Sequence, residues 1–357
     1  MDSVTQMALG SAIGGAVLGR RLGWRAFAWG AAIGTLPDLD SFVPFGGPVA
    51  DFTYHRGYTH ALLVQTLISP ALAIALNRWY REVGIGGVRW LAAVWGVLVT
   101  HALLDAVTIY GTQLWLPFSD YPVGLGSLFI IDPLYTLPLL VGIAGALRMR
   151  GQWQWARRWN ATGLALASAY LVWSMIAQEW VEGRARLALA AQEIPAERLL
   201  VTPTPFNTLL WRVVAVGESA HWEGFYTVGS GRSPGFTRYP RRPELLDGVS
   251  HTWPVQRLQA FTKGFYTVNQ INDAVVVTDL RMGQAGFYAF AFRVATRNNG
   301  RSLPIDARRY RYPDPPMPGA LAALWDCALG RPTALIACGP GGVQGGLDSV
   351  RPPGNRP

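Results

Sequence analysis

Apolar runs fill the first half of the chain, and short polar segments that contain arginine separate them. Four of these runs approach the length of roughly 20 residues that a helix needs to cross a bilayer. They are residues 61–76, 90–107, 134–147 and 162–177. Two further runs, 4–19 and 26–36, flank an arginine-rich turn. The pattern predicts four membrane spans, preceded by two short spans or a re-entrant hairpin.

The pattern changes after residue 180. Residues 181–200 have a helical periodicity and predict a linker helix. Beyond them, aromatic and β-branched residues alternate between Gly, Pro and Asn, as in strands and turns. The predicted strands are residues 209–216, 224–228, 264–268, 274–278 and 286–295. The string Gly-Phe-Tyr-Thr-Val occurs at 224–228 and again at 264–268, and predicts a repeated hairpin edge in one small antiparallel sheet.

Composition agrees with a membrane part joined to a second domain. Half of the 357 residues are hydrophobic and only 15% are charged, and this length favours two domains. We therefore predict an α-helical polytopic membrane domain (1–180), a helical linker (181–200) and a smaller β-rich (α+β) domain (201–338). The Gly- and Pro-rich residues 339–357 predict a disordered tail. Cys327 and Cys338 could form a disulfide or remain two free thiols.

The net charge of +9 invites a nucleic-acid partner, but the distribution of the arginines argues against one. They concentrate in segments 20–25, 77–89 and 148–158, whereas the intervening segments 37–60 and 108–132 contain only Arg56. Such an asymmetry follows the positive-inside rule. It predicts that the arginine-rich loops are cytoplasmic and that the other loops, with everything after about residue 180, lie outside. Asp2 stands where a removable signal peptide would be basic.

Ionisable residues lie at the predicted outer ends of the apolar runs. Because burying a charge beside hydrocarbon is costly, such residues indicate a functional site. His101 and Asp105 are four residues apart, so they share one helix face. Asp38 and Asp40 follow the second apolar run, and His60 precedes the next. Imidazole and carboxylate ligands suit zinc, or alternatively manganese, as one ion or two. The predicted metal ligands are Asp38, Asp40, His55, His60, His101 and Asp105.

Two further residues are predicted to take part in catalysis. Arg56 could bind a phosphate or stabilise developing negative charge, but it is equally suited to a salt bridge with Asp51. Asp132 is one option for a general acid, although Asp132-Pro133 also fits an ordinary helix start. His221 and His251 have no acid at a suitable spacing, so we expect them to be packing or surface residues.

Several motifs together resemble the YdjM-type family of inner-membrane proteins, which are classed as metal-dependent hydrolases. They are Met1-Asp2-Ser3-Val4-Thr5-Gln6, Gly34-Thr35-Leu36-Pro37-Asp38-Leu39-Asp40, His55-Arg56-Gly57-Tyr58-Thr59-His60, His101-Ala102-Leu103-Leu104-Asp105, Tyr110-Gly111-Thr112-Gln113 and Ile131-Asp132-Pro133-Leu134-Tyr135. Many members have His where this chain has Gln6, so position 6 departs from the family; Gln6 could still orient a ligand or a water. The family is grouped with zinc-dependent phospholipase C and the P1-type nucleases. Those enzymes have helical His-x-x-x-Asp pairs, and His101 and Asp105 match this pattern.

The resemblance implies a multi-pass protein of the bacterial inner membrane that hydrolyses a phosphoester through a metal-activated water. Membrane lipids or lipid-linked substrates are the expected partners, because their headgroups lie at the depth of the predicted ligands. The alternatives are a noncatalytic membrane scaffold with a closed structural metal site, and a transporter or proton relay with ionisable groups spread through the membrane depth. The absence of a His-Glu-x-x-His motif argues against an intramembrane metalloprotease.

Overall fold

The computed structural model describes residues 1–231 and 233–312, together with residues 319, 322, 325 and 326. The predicted tail and the two cysteines, Cys327 and Cys338, lie outside the described residues. Within them the chain has a helical N-terminal half followed by a half rich in β-strands, as the sequence predicts.

Seven α-helices build the N-terminal half: α1 (Ser3–Leu22), α2 (Trp24–Thr35), α3 (Pro48–Tyr54), α4 (Leu62–Trp79), α5 (Gly87–Val107), α6 (Pro133–Arg148) and α7 (Trp153–Ala191). Two 3-10 helices, Pro37–Phe42 and Tyr58–His60, precede α3 and α4. Among the described residues, α4, α5 and α7 are long and apolar enough to cross a membrane, while α6 has 16 residues. Each of these four helices contains one of the predicted apolar runs, except that Ala61 of the first run lies just before α4.

Helices α1 and α2 form a tight hairpin that glycine makes possible. Gly23, with φ at +60°, turns the chain between them. Where the helices cross, a Cβ atom on Gly10 would overlap the carbonyl oxygen of Gly30, and one on Gly30 would overlap that of Gly10. Glycine is required at such close backbone contacts because any side chain would separate the helices. The contact brings the open ends of the hairpin, at Gln6 and Gly34, to one end of the helical half.

The C-terminal half contains two four-stranded antiparallel sheets. The first has the order β1 (Arg198–Pro203), β2 (Leu210–Val216), β3 (Ala220–Thr227), β4 (Phe236–Pro240). Helix α8 (Trp253–Phe261) leads to the second sheet, formed by β5 (Tyr266–Ile271), β6 (Ala274–Asp279), β9 (Ala291–Asn298) and β10 (Arg301–Tyr310). In that sheet the spatial order is β10-β9-β6-β5, and a two-strand ribbon of β7 (Gly283–Gln284) and β8 (Phe287–Tyr288) stands apart.

The interpretation of the Gly-Phe-Tyr-Thr-Val repeat was wrong. The first copy lies in β3, which is an inner strand paired with both β2 and β4, whereas the second leads into β5, an edge strand of the other sheet. The same five residues therefore occupy different positions in different sheets. A string of alternating residues specifies a strand but not its neighbours, because pairing depends on distant segments.

The two halves share a hydrophobic core at one end of the helices. Phe52 of α3 and Tyr110 after α5 pack with Phe261 and Phe292 of the β-rich half. Arg257 of α8 reinforces the contact, with one nitrogen 2.5 Å from Asp120 and another donating to the Thr53 carbonyl at 3.3 Å. Helix α7 runs unbroken through the predicted boundary at residue 180 and ends at Ala191, seven residues before β1 begins.

Candidate metal centre

Four ionisable side chains from separate segments converge at the end of the helical half that contacts the β-rich half. Asp38 lies in the 3-10 helix that follows α2, and His60 lies in the one that precedes α4. His101 and Asp105 project from the last two turns of α5. One nitrogen or oxygen from each residue lies within 4.8 Å of the other three, and all but Asp38 are fully buried.

Five of the six distances between these atoms are close to those of a tetrahedral coordination shell. The Nε2 atoms of His60 and His101 are 3.1 Å apart, and each lies 3.5 Å from Oδ1 of Asp38. Oδ2 of Asp105 lies 3.2 Å from Nε2 of His60 and 3.6 Å from Nε2 of His101. A zinc ion binds nitrogen and oxygen at about 2.0–2.1 Å, which makes the edges of its tetrahedron about 3.3 Å long. The five separations cluster around this length, and the sixth, between the carboxylate oxygens of Asp38 and Asp105, is within 4.8 Å.

The hydrogen bonds on the far side of each imidazole fix its orientation. Nδ1 of His101 lies 2.7 Å from the carbonyl oxygen of Gly34, to which it must donate. Thr59 donates its hydroxyl proton to Asp40 at 2.6 Å, so the hydroxyl oxygen accepts from Nδ1 of His60 at 2.9 Å. With both Nδ1 atoms protonated, the two Nε2 lone pairs point at each other. Partners of this kind commonly orient histidines that bind metals.

The two oxygens of Asp105 have different surroundings. Oδ1 accepts from the side chain of Gln6 at 3.0 Å and from the α-amino group of Met1. Oδ2 is buried and accepts no hydrogen bond among the described residues; Arg56 lies 3.2 Å away without the alignment of one. A buried acceptor without a donor is costly. With both imidazoles neutral, four acceptors therefore face one small space, and a divalent cation would satisfy all of them.

The pKa values of Asp38 and His60, which lie outside the α-helices, also favour a cation at this site. Burial alone would lower the pKa of His60, but the carboxylates of Asp105 and Asp38 raise it above its ordinary value. Burial would likewise raise the pKa of Asp38, but its contacts with His101 and His60 hold that pKa well below the usual range. The site therefore favours anionic carboxylates and a positive charge between them.

Asp40 and His55, which were also predicted as ligands, lie beside this group. Asp40 accepts from Nδ1 of His55 at 2.8 Å and from the backbone N–H of Arg56 at 3.1 Å, in addition to Thr59. Through Thr59 it holds His60 in place. Direct ligand roles for Asp40 and His55 stay predictions.

Arg56 and Asp132, the two predicted catalytic residues, have different contacts. Arg56, buried and with φ at +62°, forms its ion pair with Asp105, while Asp51 accepts from the backbone of Phe45. The alternative pairing with Asp51 was therefore wrong. Asp132 caps α6 by accepting from the backbone of Leu134 at 2.9 Å, and it also accepts from the hydroxyl of Tyr170 at 3.0 Å. These contacts match the ordinary helix start, and a catalytic role for Asp132 stays a prediction.

The sequence pattern identified only one of the groups that position the candidate ligands. Gln6 departs from the family but was named as a residue that could orient a ligand or a water, and it donates to Asp105 and to the His101 carbonyl. The Gly34 carbonyl and the Thr59 hydroxyl carried no recognisable signal. Of the other histidines, His221 is buried and stacks on Tyr239, and His251 is exposed, as expected of packing and surface residues.

A cleft of about 670 Å³ adjoins the group on the side of Asp40 and His55. Its walls come from both halves and include six aromatic side chains: Phe42, Phe45, Phe52, Tyr110, Phe290 and Phe292. Asp51 and Arg309 also line it. The cleft thus combines aromatic walls with charged and polar groups.

Comparison with known proteins gives similar curated proteins and one matching family. The chain is 33% identical over 154 residues to the "Uncharacterized protein YfhP" of Bacillus subtilis (strain 168), which covers 40% of this chain and 46% of YfhP. It is 36% identical over 119 residues to the "Inner membrane protein YbcI" of Escherichia coli (strain K12), covering 32% of this chain and 64% of YbcI. The aligned regions span about half and just under two thirds of these relatives.

No solved structure matches the chain, so the likeness to phospholipase C and the P1-type nucleases stays a prediction. The model of one family, described as "YdjM inner membrane protein", matches residues 1–181. That range includes Asp38, His60, His101 and Asp105, together with the groups that orient them. Since the match covers half of the chain, the protein belongs to the YdjM inner membrane protein family.

Proposed function

We propose that this protein is a metal-dependent hydrolase of the bacterial inner membrane that cleaves a phosphoester in a lipid or lipid-linked substrate. The observation that carries the proposal is the convergence of two imidazole lone pairs and two carboxylate oxygens on one buried space. Asp38, His60, His101 and Asp105 would hold the metal, and zinc suits this mixture of nitrogen and oxygen donors best. A bound zinc ion would polarise a phosphoryl oxygen and lower the pKa of a water molecule.

The residues around the group have their own tasks. Asp38 is the ligand with solvent access, since 16% of its side chain is exposed while the other three are buried. Arg56 lies against Asp105 and above the ring of Tyr110, 4.9 Å from its centre. A guanidinium group there would balance the two carboxylates and attract an anionic phosphoryl group.

The adjoining cleft supports an amphiphilic substrate. Its aromatic walls would accept an acyl or isoprenoid chain, while Asp40 and His55 contact the residues that support the ligands. Because the cleft and the ligands lie at the same end of α4 and α5, a lipid headgroup would reach them at the membrane boundary. We infer a multi-pass topology with this end, and the β-rich half packed on it, outside the cytoplasm, because the arginine-rich loops lie at the opposite end.

One observation favours a second candidate, a noncatalytic scaffold. Four protein atoms can complete a tetrahedral zinc shell, and closed shells are typical of structural sites, whereas catalytic zinc keeps an open position. A transporter has less support, because these ionisable groups cluster at one end of the helices instead of spanning the membrane depth.

The hydrolase proposal is tested with the full-length protein, purified in detergent and loaded with zinc. Mixed micelles of phosphatidic acid or phosphatidylglycerol serve as substrates, and the release of phosphate or phosphoglycerol is measured. We expect turnover that is abolished by chelation and reduced at least about a thousandfold in His101→Ala, because loss of a ligand removes the metal's stabilisation of the transition state.

The matched control is His251→Ala, which removes an exposed histidine far from the group in sequence and should leave turnover unchanged. If the wild type binds zinc tightly but hydrolyses neither lipid, the hydrolase proposal for these substrates fails. The scaffold would be supported if chelation and the His101→Ala change lowered the melting temperature equally, and if neither of these proteins nor the wild type showed turnover.

A further inference from the structure

A second cavity, of about 500 Å³, lies where the loop between α5 and α6 contacts the β-rich half. Tyr121 contributes from the loop, and Arg198 from the start of β1. Arg241, Lys263 and Tyr266 contribute from the β-rich half, and the remaining lining residues are Glu197, Gln259, Ala260 and Gly264. None of these residues belongs to the candidate metal centre or to the aromatic cleft.

The lining of this cavity is strongly basic. It contains three cations, Arg198, Arg241 and Lys263, against one acid, Glu197. Within the part of the chain that the structure describes, none of the three cations forms an ion pair with a carboxylate. Lys263 is also the only lysine in the sequence, since every other basic side chain that counts toward the net charge is an arginine.

Arg241 is held in place by backbone groups. Its Nε donates to the carbonyl of Tyr266 at 2.9 Å, and one terminal nitrogen donates to the carbonyl of Gly217 at 3.0 Å. The guanidinium group also lies 4.6 Å from the centre of the Tyr266 ring. A guanidinium fixed in this way loses little entropy when its remaining N–H groups bind a ligand.

Lys263 and Arg198 are positioned by the same turn. Lys263 has φ at +55°, and its ammonium donates to the Gly124 carbonyl at 3.3 Å and lies 5.6 Å from the centre of the Tyr121 ring. At the next position a Cβ atom on Gly264 would lie 2.5 Å from Nε of Arg198, so glycine leaves room for that side chain. Burial, followed by repulsion from Arg281, lowers the pKa of Lys263 to about 8, although Asp279 acts in the opposite direction, as expected of a cation whose charge is not fully balanced.

We propose that this cavity binds a phosphate group, which Arg198, Arg241 and Lys263 hold by charge-assisted hydrogen bonds. Arginine forks match the oxygens of a phosphate, and lysine adds a point charge. The phosphate could belong to a lipid headgroup or to a free phosphate compound, because both present the same oxygens. The site is independent of the metal centre, and its ligand need not be the substrate.

Isothermal titration of the full-length protein in phosphate-free detergent micelles with inorganic phosphate tests the proposal. We expect saturable binding, weakened at least about tenfold in Lys263→Met and in Arg198→Gln, which corresponds to about 1.4 kcal/mol or more. Both variants remove an unbalanced charge, so thermal stability should not fall. Arg238→Gln, which removes an exposed arginine of β4 outside the cavity, is the matched control and should bind normally. Wild-type protein that does not bind phosphate saturably, or variants that bind like wild type, would overturn the proposal.

A second measurement does not depend on any variant. Pyridoxal phosphate carries a phosphate and an aldehyde that condenses with an unprotonated amine, releasing water, and borohydride reduction makes the link permanent. Mass spectrometry should show labelling at Lys263 that inorganic phosphate suppresses. Suppression by micelles containing phosphatidic acid, but not by glycerol phosphate, would identify a lipid headgroup as the source; the reverse would identify a free compound. Labelling that phosphate does not suppress would contradict the proposal.

Discussion

At the scale of single residues, the groups that hydrogen-bond to the four candidate ligands would determine the chemistry of the candidate metal centre. The four ligand atoms would repel one another without a cation, and the hydrogen bonds from Gln6 and through Thr59 hold them in that arrangement. These partners fix which carboxylate oxygen and which imidazole nitrogen face the centre. Their energetic contribution should therefore appear in metal affinity.

We predict that Gln6→Leu and Thr59→Val each weaken zinc binding by about 10–100-fold, the usual effect of removing a partner that orients a ligand. Neither change alters a ligand atom. Competition with a fluorescent zinc chelator measures the affinity, and Gln256→Leu, at an exposed position on α8, serves as the control. Unchanged affinity in both variants would mean that the hydrogen bonds do not position the ligands.

A second prediction concerns His221, which is buried in β3 beside Glu223 and Tyr239. Burial lowers its pKa to about 4, whereas the unfolded chain has a histidine pKa of about 6.5. Between these values the unfolded state binds more protons, so stability decreases as the pH falls, by up to about 3 kcal/mol.

Hydrogen exchange of the amides in β2 and β3, corrected for intrinsic rates, measures this loss in the full-length protein. His221→Gln should reduce the pH dependence in that window, because no imidazole remains to be protonated. An identical pH dependence in the variant would assign the effect to other groups.

The sequence predicted the candidate ligands better than the groups that orient them. Helical spacing predicted that His101 and Asp105 share a face, and the ends of the apolar runs predicted that Asp38 and His60 lie nearby. It could not distinguish Asp38 from Asp40, because the two are separated by one residue in a short 3-10 helix whose rotation depends on tertiary contacts. Backbone acceptors such as the Gly34 carbonyl have no side-chain signal at all.

At the scale of elements, the glycine-lined contact of α1 and α2 positions groups that contact the candidate metal centre. The hairpin sets the positions of Gln6 and of the Gly34 carbonyl, which contact Asp105 and His101. Apolar runs predicted the long helices because hydrophobic length is a local property. They did not predict β1, β4, β10 or α8, whose partly exposed segments depend on their neighbours for stability.

We predict that Gly30→Val lowers both the melting temperature and the zinc content, although it changes no ligand. The new side chain would meet the backbone of Gly10, and such overpacking typically costs 1–3 kcal/mol. Thermal unfolding and elemental analysis of the purified protein measure the two effects.

The matched control is Gly183→Ala on α7, where a Cβ atom would meet open space. There alanine should stabilise the helix by up to about 1 kcal/mol and leave zinc content unchanged. A Gly30→Val protein with full zinc content would mean that the packing of the hairpin does not affect metal binding at the site.

At the scale of the whole molecule, the β-rich half packs on the end of the helices that contains the candidate metal centre. The shared core around Phe52 and Phe261, together with the Arg257–Asp120 ion pair, joins the halves, and both cavities lie along this junction. The sequence predicted both halves and their order. Their mutual packing could not be predicted because its contacts link residues far apart in the chain.

Our topology makes a prediction at this scale. Alkaline phosphatase, which is active only outside the cytoplasm, should be inactive when fused after Gly151, in the arginine-rich turn before α7, and active when fused after Gln192, just beyond that helix. The arginine distribution gives the physical reason. Activity in the first fusion and not in the second would reverse the orientation, and equal activity in both would mean that α7 does not cross the membrane.

The most direct test of the central claim is the metal content and coordination of the purified full-length protein. Elemental analysis should find about one equivalent of zinc in the wild type and in His251→Ala, and should find it lost in His60→Ala, His101→Ala and Asp105→Ala. X-ray absorption should show nitrogen and oxygen neighbours at about 2.0–2.1 Å, two of them imidazoles. Metal-free wild-type protein that retains its fold, or equal metal content in all these variants, would contradict the account.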